Sequence, residues 1–242
     1  MRIAGLQKLT LLDFPDKTAM TLFCPGCNLR CPFCHNAELI GITGEHESRT
    51  PSQTRTPEIA PKEFFTLLES RAGLIDGVCI TGGEPLLQSE LEEFCLEIKE
   101  RGFLVKLDTN GCFPSALRNL VEAKAIDYVA LDAKNCASRY AETVGISGFD
   151  STPIFESIDY LLHSSIEYEF RTTLVKELHD LQSLSELASS LKGARRWYLQ
   201  SFVDGEGVLA GEGTLHSFTK AELDAMHSAL RRIIPTVALR GV

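Results

Sequence analysis

Eight cysteines occur in this chain, and four of them fall within eleven residues, in Phe23-Cys24-Pro25-Gly26-Cys27-Asn28-Leu29-Arg30-Cys31-Pro32-Phe33-Cys34-His35-Asn36. Thiolates crowded in this way point to a soft metal or to redox chemistry. A structural zinc site brings two C-x-x-C knuckles together across an intervening strand or helix. Only three residues separate Cys27 from Cys31, too few for two knuckles to embrace one tetrahedral ion. A redox disulfide needs a single C-x-x-C and leaves the other cysteines unexplained. An iron–sulfur cluster takes several thiolates from one tight loop, which gaps of two and three residues allow.

Other polar residues with chemical potential sit where short β-branched runs end. Val78-Cys79-Ile80-Thr81-Gly82-Gly83-Glu84-Pro85 reads as a buried strand running into a glycine turn with an acid. Gly82 and Gly83 carry no Cβ, so the backbone there can approach a ligand closely, and Glu84 can accept from an ammonium. A plain βα turn is the alternative. Leu107-Asp108-Thr109-Asn110-Gly111 places an acid where nucleoside sites use one for ribose hydroxyls, and Leu131-Asp132-Ala133-Lys134 ends the next run. Each Asp can instead cap a helix or turn. Arg171, in Glu169-Phe170-Arg171-Thr172-Thr173, needs an anion if it faces into a parallel sheet, from a ligand or from an internal Asp or Glu. Asp13, in Leu12-Asp13-Phe14-Pro15-Asp16, reads as a turn residue before proline.

The elements that must position these residues follow from hydrophobic period. Strands are expected at Thr18–Phe23, Gly77–Thr81, Leu104–Thr109, Tyr128–Asp132, Glu169–Leu174 and Trp197–Phe202. Helices are expected at about Pro61–Arg71, Ser89–Arg101, Pro114–Glu122, Thr152–His163, Asp180–Leu191 and Thr219–Ile233. Alternation of this kind requires a parallel sheet covered by helices, because parallel neighbours need helical crossovers. About six βα units predict a partial (β/α)6 barrel, one domain over residues 1–242, with function at the C-terminal ends of the strands. The cysteine loop spans 24–36, and the Ser-, Thr- and Arg-rich tract at about 41–58 reads as a mobile loop.

Composition sets the remaining bounds. The net charge of −9 argues against a non-specific nucleic-acid binder, which runs on concentrated Lys and Arg. No apolar run reaches a membrane span, and the first residues lack the apolar stretch of a signal peptide, so a cytoplasmic protein is expected. Asp204-Gly205-Glu206-Gly207-Val208-Leu209-Ala210 formally fits a dinucleotide fingerprint, but its acids would repel a pyrophosphate. Cys79, Cys95, Cys112 and Cys136 show no ligand spacing.

The subset Cys27-x3-Cys31-x2-Cys34, with Phe33 before the last cysteine, resembles the signature of the radical S-adenosylmethionine (SAM) superfamily. The surrounding C-N-L-R-C-P-F-C-H-N is similar to that of the glycyl-radical-enzyme activases, particularly those of anaerobic ribonucleoside-triphosphate reductase. The resemblance runs from Leu6-Gln7-Lys8-Leu9-Thr10 to Val237-Ala238-Leu239-Arg240.

It implies that Cys27, Cys31 and Cys34 hold three irons of a [4Fe–4S] cluster and that the fourth iron chelates SAM. Gly82, Gly83 and Glu84 then match the motif that binds the SAM amino group, and Phe33, Asp108, Lys134 and Arg171 lie at the same ligand. Asp108, Thr109 and Asp132 match positions that help hold a monovalent cation. The implied partners are a glycyl radical enzyme, anaerobic ribonucleotide reductase foremost, and a flavodoxin- or ferredoxin-type electron donor. Cys24 stands where related sequences carry an apolar residue, so a fourth ligand is not expected. His35 and Asn36 adjoin the loop and either touch the ligand or pack. Two alternatives stay open: a radical SAM enzyme acting on a small molecule or another peptide, and a non-catalytic iron–sulfur carrier or zinc module. The second leaves Gly82–Glu84 and Asp108 unexplained.

Overall fold

The protein is described from a computed structural model covering residues 1–41 and 58–241. The loop expected at about 41–58 therefore lies almost wholly outside the described residues. Eight strands follow one another in sheet order: β1 Gly5–Thr10, β2 Ala19–Cys24, β3 Gly77–Gly82, β4 Leu104–Thr109, β5 Tyr128–Asp132, β6 Glu167–Leu174, β7 Trp197–Ser201 and β8 Val237–Arg240. The helices are α1 Ala37–Ile40, α2 Pro61–Glu69, α3 Leu91–Glu100, α4 Pro114–Glu122, α5 Tyr140–Thr143, α6 Thr152–His163, α7 Leu181–Ser190 and α8 Lys220–Leu230. All six expected strands and all six expected helices are present, with ends shifted by a few residues.

Two strands join them. Gly5–Thr10 runs antiparallel to β2, and only Thr10 of its residues is buried, so its sequence lacks a buried face to announce it. Val237–Arg240 has only four residues, too few to display a period.

Local chemistry accounts for the helix boundaries. Pro61 opens α2 at a position whose N–H has no intrahelical partner. Asp180 with Ser183 and Thr219 with Glu222 form reciprocal caps that start α7 and α8. Each longer helix then buries one stripe, as with Leu91, Phe94, Cys95 and Ile98 of α3.

The chain divides into two compact units. The first comprises Met1–Asn28, Glu38–Thr109 and Ser115–Val129. Within it β2, β3 and β4 are parallel, with Cys24 opposite Gly82 and Cys79 opposite Lys106. The second comprises Leu29–Ala37, Asn110–Pro114 and Ala130–Val242. There β6, β7 and β8 are parallel, with fully buried Phe170, Trp197 and Leu199 in its core. Among the described residues no helix is long and apolar enough to cross a membrane.

Candidate functional site

In the first unit the cysteine loop and the glycine turn are bound to each other through backbone. Gly83 N–H donates to Cys24 O at 2.8 Å and Glu84 N–H to Gly26 O at 2.7 Å. Gly82 has φ +111°, which only glycine adopts without strain, and a Cβ on it would meet Cys24 N at 2.5 Å. A Cβ on Gly83 would lie 1.9 Å from Gly26 O. The two glycines thus admit the backbone of the cysteine loop. Glu84 is fully buried, and its Oε1 accepts from Leu86 N–H at 3.0 Å and from the Thr109 hydroxyl at 2.8 Å. Cys24 ends β2 fully buried, and its thiol is held well above the ordinary thiol range, by burial first and then by the Glu84 charge. Asp13 accepts from the Thr21 hydroxyl of β2 at 2.5 Å.

Asp108 lies two residues beyond Lys106 on β4, hence on the same face, and the Lys106 ammonium pairs with its Oδ1. The Cys79 thiol stands 3.7 Å from that same oxygen.

In the second unit the rest of the loop is fastened at three points. Arg30 N–H donates to Val144 O at 3.0 Å, Leu209 N–H to Cys34 O at 3.0 Å and Ala210 N–H to Pro32 O at 2.9 Å. The segment 204–210, a false fingerprint by its sequence, is the backbone clasp for Pro32 and Cys34. His35 Nε2 lies 2.6 Å from Val203 O and its ring packs near Phe202, so the imidazole is engaged in packing. Phe33 is buried, with the Lys134 ammonium 5.7 Å from its ring centre. Asp132 holds two cations: Arg171 Nε at 2.9 Å on Oδ1 and Lys134 Nζ at 3.3 Å on Oδ2. Arg171 thus has an internal aspartate as one anionic partner.

The stretch from Ala133 to Asn135 is fixed by groups that spacing did not single out. Thr172 Oγ1 donates to Ala133 O at 2.6 Å and itself accepts from Trp197 Nε1 at 3.0 Å. Lys134 N–H donates to Tyr140 Oη at 3.2 Å. Val175 N–H donates to His179 Nδ1 at 3.1 Å, which leaves Nε2–H to donate to Lys134 O at 2.8 Å. His179 is buried, and desolvation lowers its pKa, which favours this neutral tautomer. A partner forty-five residues away leaves no signal in sequence. Lys106 did leave one, a lysine at period two from Asp108 inside an otherwise apolar strand.

None of the eight cysteines is in a disulfide, and Cys31 is buried while Cys27 and Cys34 are partly exposed. Reduced thiols on one short loop are the donor chemistry that an iron–sulfur cluster takes. Among the described residues no three His, Cys, Asp or Glu converge as ligands of a single ion would. Thiolates on a cube each meet a different iron and need no such convergence.

The pattern of the radical SAM superfamily matches residues 21–187. Over 244 aligned positions the chain is 31% identical to a protein of Methanocaldococcus jannaschii named as a glycyl-radical enzyme activating enzyme, covering 99% of this chain and 96% of that one. It is 27% identical to a pyruvate formate-lyase-activating enzyme of Listeria monocytogenes, over 81% of this chain and 79% of that one. A radical SAM methyltransferase from Sphaerobacter thermophilus shares the fold, with TM-score 0.70 and 17% identity over 96% of this chain and 68% of that one. Some solved neighbours are longer, this chain covering 48% of one of them. The α/β fold with parallel strands, the cysteine loop at the end of β2 and these likenesses agree: the chain belongs to the radical SAM superfamily, among its glycyl-radical-enzyme activating enzymes.

Proposed function

We propose that the chain activates anaerobic ribonucleoside-triphosphate reductase by abstracting hydrogen from a glycine Cα of that enzyme. Cys27, Cys31 and Cys34 would hold a [4Fe–4S] cluster, with Cys24 left out because its buried thiol resists ionisation. When bound, the cluster and SAM would supply one-electron reductive cleavage of SAM, the chemistry from which the hydrogen-abstracting species comes. The chain's own part is placement. The glycine turn Gly82–Glu84 holds the cysteine loop at Cys24 and Gly26 by two backbone bonds, and 209–210 hold it at Cys34 and Pro32. Phe33 presents an aromatic wall beside Lys134. Glu84, Asp108, Lys134 and Arg171 are assigned to SAM as the family motif implies, Glu84 to its amino group.

The observation that carries this reading is the three-cysteine spacing on a loop tied by backbone to the Gly-Gly-Glu turn, in a chain related over its whole length to an activating enzyme. The family match runs through both compact units, which supports treating residues 1–242 as one functional domain. A flavodoxin- or ferredoxin-type protein would supply the electron, and the reaction belongs in an anaerobic cytoplasm. The monovalent cation implied at Asp108, Thr109 and Asp132 is a separate matter, since these side chains already carry partners from the chain.

The test is anaerobic reconstitution with iron, sulfide, SAM and reductant. The wild type should form 5′-deoxyadenosine and, with the reductase present, a glycyl radical signal; Cys31→Ala should give neither. Product from Cys31→Ala, or none from intact protein with a verified cluster, overturns the chemistry. Product without a radical on the reductase overturns only the target.

A further inference from the structure

We propose that the Lys106 ammonium is a built-in counter-ion at Asp108, taking the place of a monovalent cation, so that ligand binding by this protein is independent of potassium and sodium. The inference rests on the proposed SAM reading and concerns what the site requires.

The geometry begins with the strand. Lys106 and Asp108 are two residues apart on β4, so the pleat places both side chains on one face. Lys106 is 1% exposed and Asp108 12%. A lysine buried so deeply needs an anion beside it, because desolvation of an unpaired ammonium is costly. A carboxylate stands two residues along its own strand, and the ammonium meets its Oδ1. Register places Cys79 of β3 opposite Lys106, and the Cys79 sulfur lies 3.7 Å from Nζ, while the Tyr128 ring centre lies 6.0 Å away. Sulfur and an aromatic face both accommodate a cation without competing for its charge.

The expected cation ligands do not fit that role in this chain. Asp108 faces Lys106. The Thr109 hydroxyl gives its hydrogen to Glu84, which does not occupy the oxygen lone pairs, so the case rests on the two carboxylates. Asp132, considered within its own unit, binds both Arg171 and Lys134. Each of the two carboxylates is therefore already neutralised by a side chain. A tethered ammonium competes with free ions at an effective concentration set by its short stem, above that of salt in solution. Lys106 is thus a positioning residue, holding the Asp108 carboxylate in place for a neutral ligand group such as a ribose hydroxyl.

The test is SAM affinity, by equilibrium dialysis on the reconstituted full chain, in potassium, sodium and tetramethylammonium chloride at equal ionic strength. Wild-type affinity should agree within about twofold across the three salts. Lys106→Ala should bind at least tenfold more weakly in tetramethylammonium and recover in potassium or sodium, a rescue that a purely structural defect would not show. Sodium-23 NMR relaxation on the cluster-free chain gives a second reading: no specific broadening in the wild type, broadening in the variant. Wild-type affinity rising tenfold with potassium, specific sodium broadening in the wild type, or a variant that binds SAM normally in every salt overturns the inference. If the variant does not fold, the wild-type series decides alone. Absence of SAM binding in any salt would instead remove the proposed function.

Discussion

Replacement of Gly83 by alanine tests the link between the glycine turn and the cysteine loop. The added Cβ would stand 1.9 Å from Gly26 O and 2.6 Å from Gly26 C, both backbone atoms that cannot swing aside. Relief requires the turn and the loop to separate. Separation breaks the Gly83–Cys24 and Glu84–Gly26 backbone bonds of 2.8 and 2.7 Å. Each bond is worth about 1 kcal/mol net, and overpacking adds about 1–3 kcal/mol, giving a loss of about 3–5 kcal/mol. At about 2–4 °C per kcal/mol for a chain of this size, the melting temperature should fall by about 6–20 °C. Gly205→Ala is the control, since nothing lies within 4 Å of a Cβ there, and it should stay within about 0.5 kcal/mol of the wild type. The assay is thermal melting of the cluster-free protein beside iron content after anaerobic reconstitution. Gly83→Ala should lose both stability and iron; Gly205→Ala should lose neither. A Gly83→Ala protein that melts within 2 °C of wild type, roughly 1 kcal/mol or less, and loads full iron would refute the reasoning.

Three further outcomes are expected. Cys24→Ala should load as much iron as the wild type, because burial already denies this thiol its thiolate; a clear drop in iron would make Cys24 a ligand. His179 is neutral in the fold with a lowered pKa, so its contribution to stability is full above the unfolded value near 6.5 and is lost on acidification below it. Unfolding free energies of wild type and His179→Leu from urea titrations should therefore converge between pH 7.5 and 5.5, by up to about 1.4 kcal/mol per pH unit; a constant gap counts against a neutral His179 in the fold. Arg240 grips Glu169 through two bonds of 2.8 and 2.9 Å, with Glu169 1% and Arg240 33% exposed. Arg240→Leu, which takes two charge-assisted bonds from a buried carboxylate, should cost about 3–5 kcal/mol, and Glu169→Leu, which leaves an arginine able to reach water, clearly less. Equal costs in chemical denaturation would contradict this account.

The elements that local chemistry specifies are legible in the sequence. Leu104–Thr109, Tyr128–Asp132 and Pro114–Glu122 fall where apolar period and flanking residues place them, and the alternation of strand and helix dictates a parallel sheet. Strands β1 and β8 are not, since the former buries only Thr10 and the latter is too short to show a pattern. The donor loop was equally plain, because three cysteines within eight residues are brought near one another by the chain itself.

What neighbours do to those residues was decided by the fold. Glycine in the Gly82-Gly83 turn suggested room for a ligand; the fold shows that the cysteine-loop backbone comes first. Arg171 called for an anion without saying which, and the approach of β5 residue Asp132 supplied one. His179 and the 204–210 segment had no assigned task, yet one holds Lys134 and the other holds Cys34. Spacing along a chain fixes what residues a few positions apart can do together, whereas a charge partner or a backbone clasp joins segments tens of residues apart, and only their packing brings those into reach.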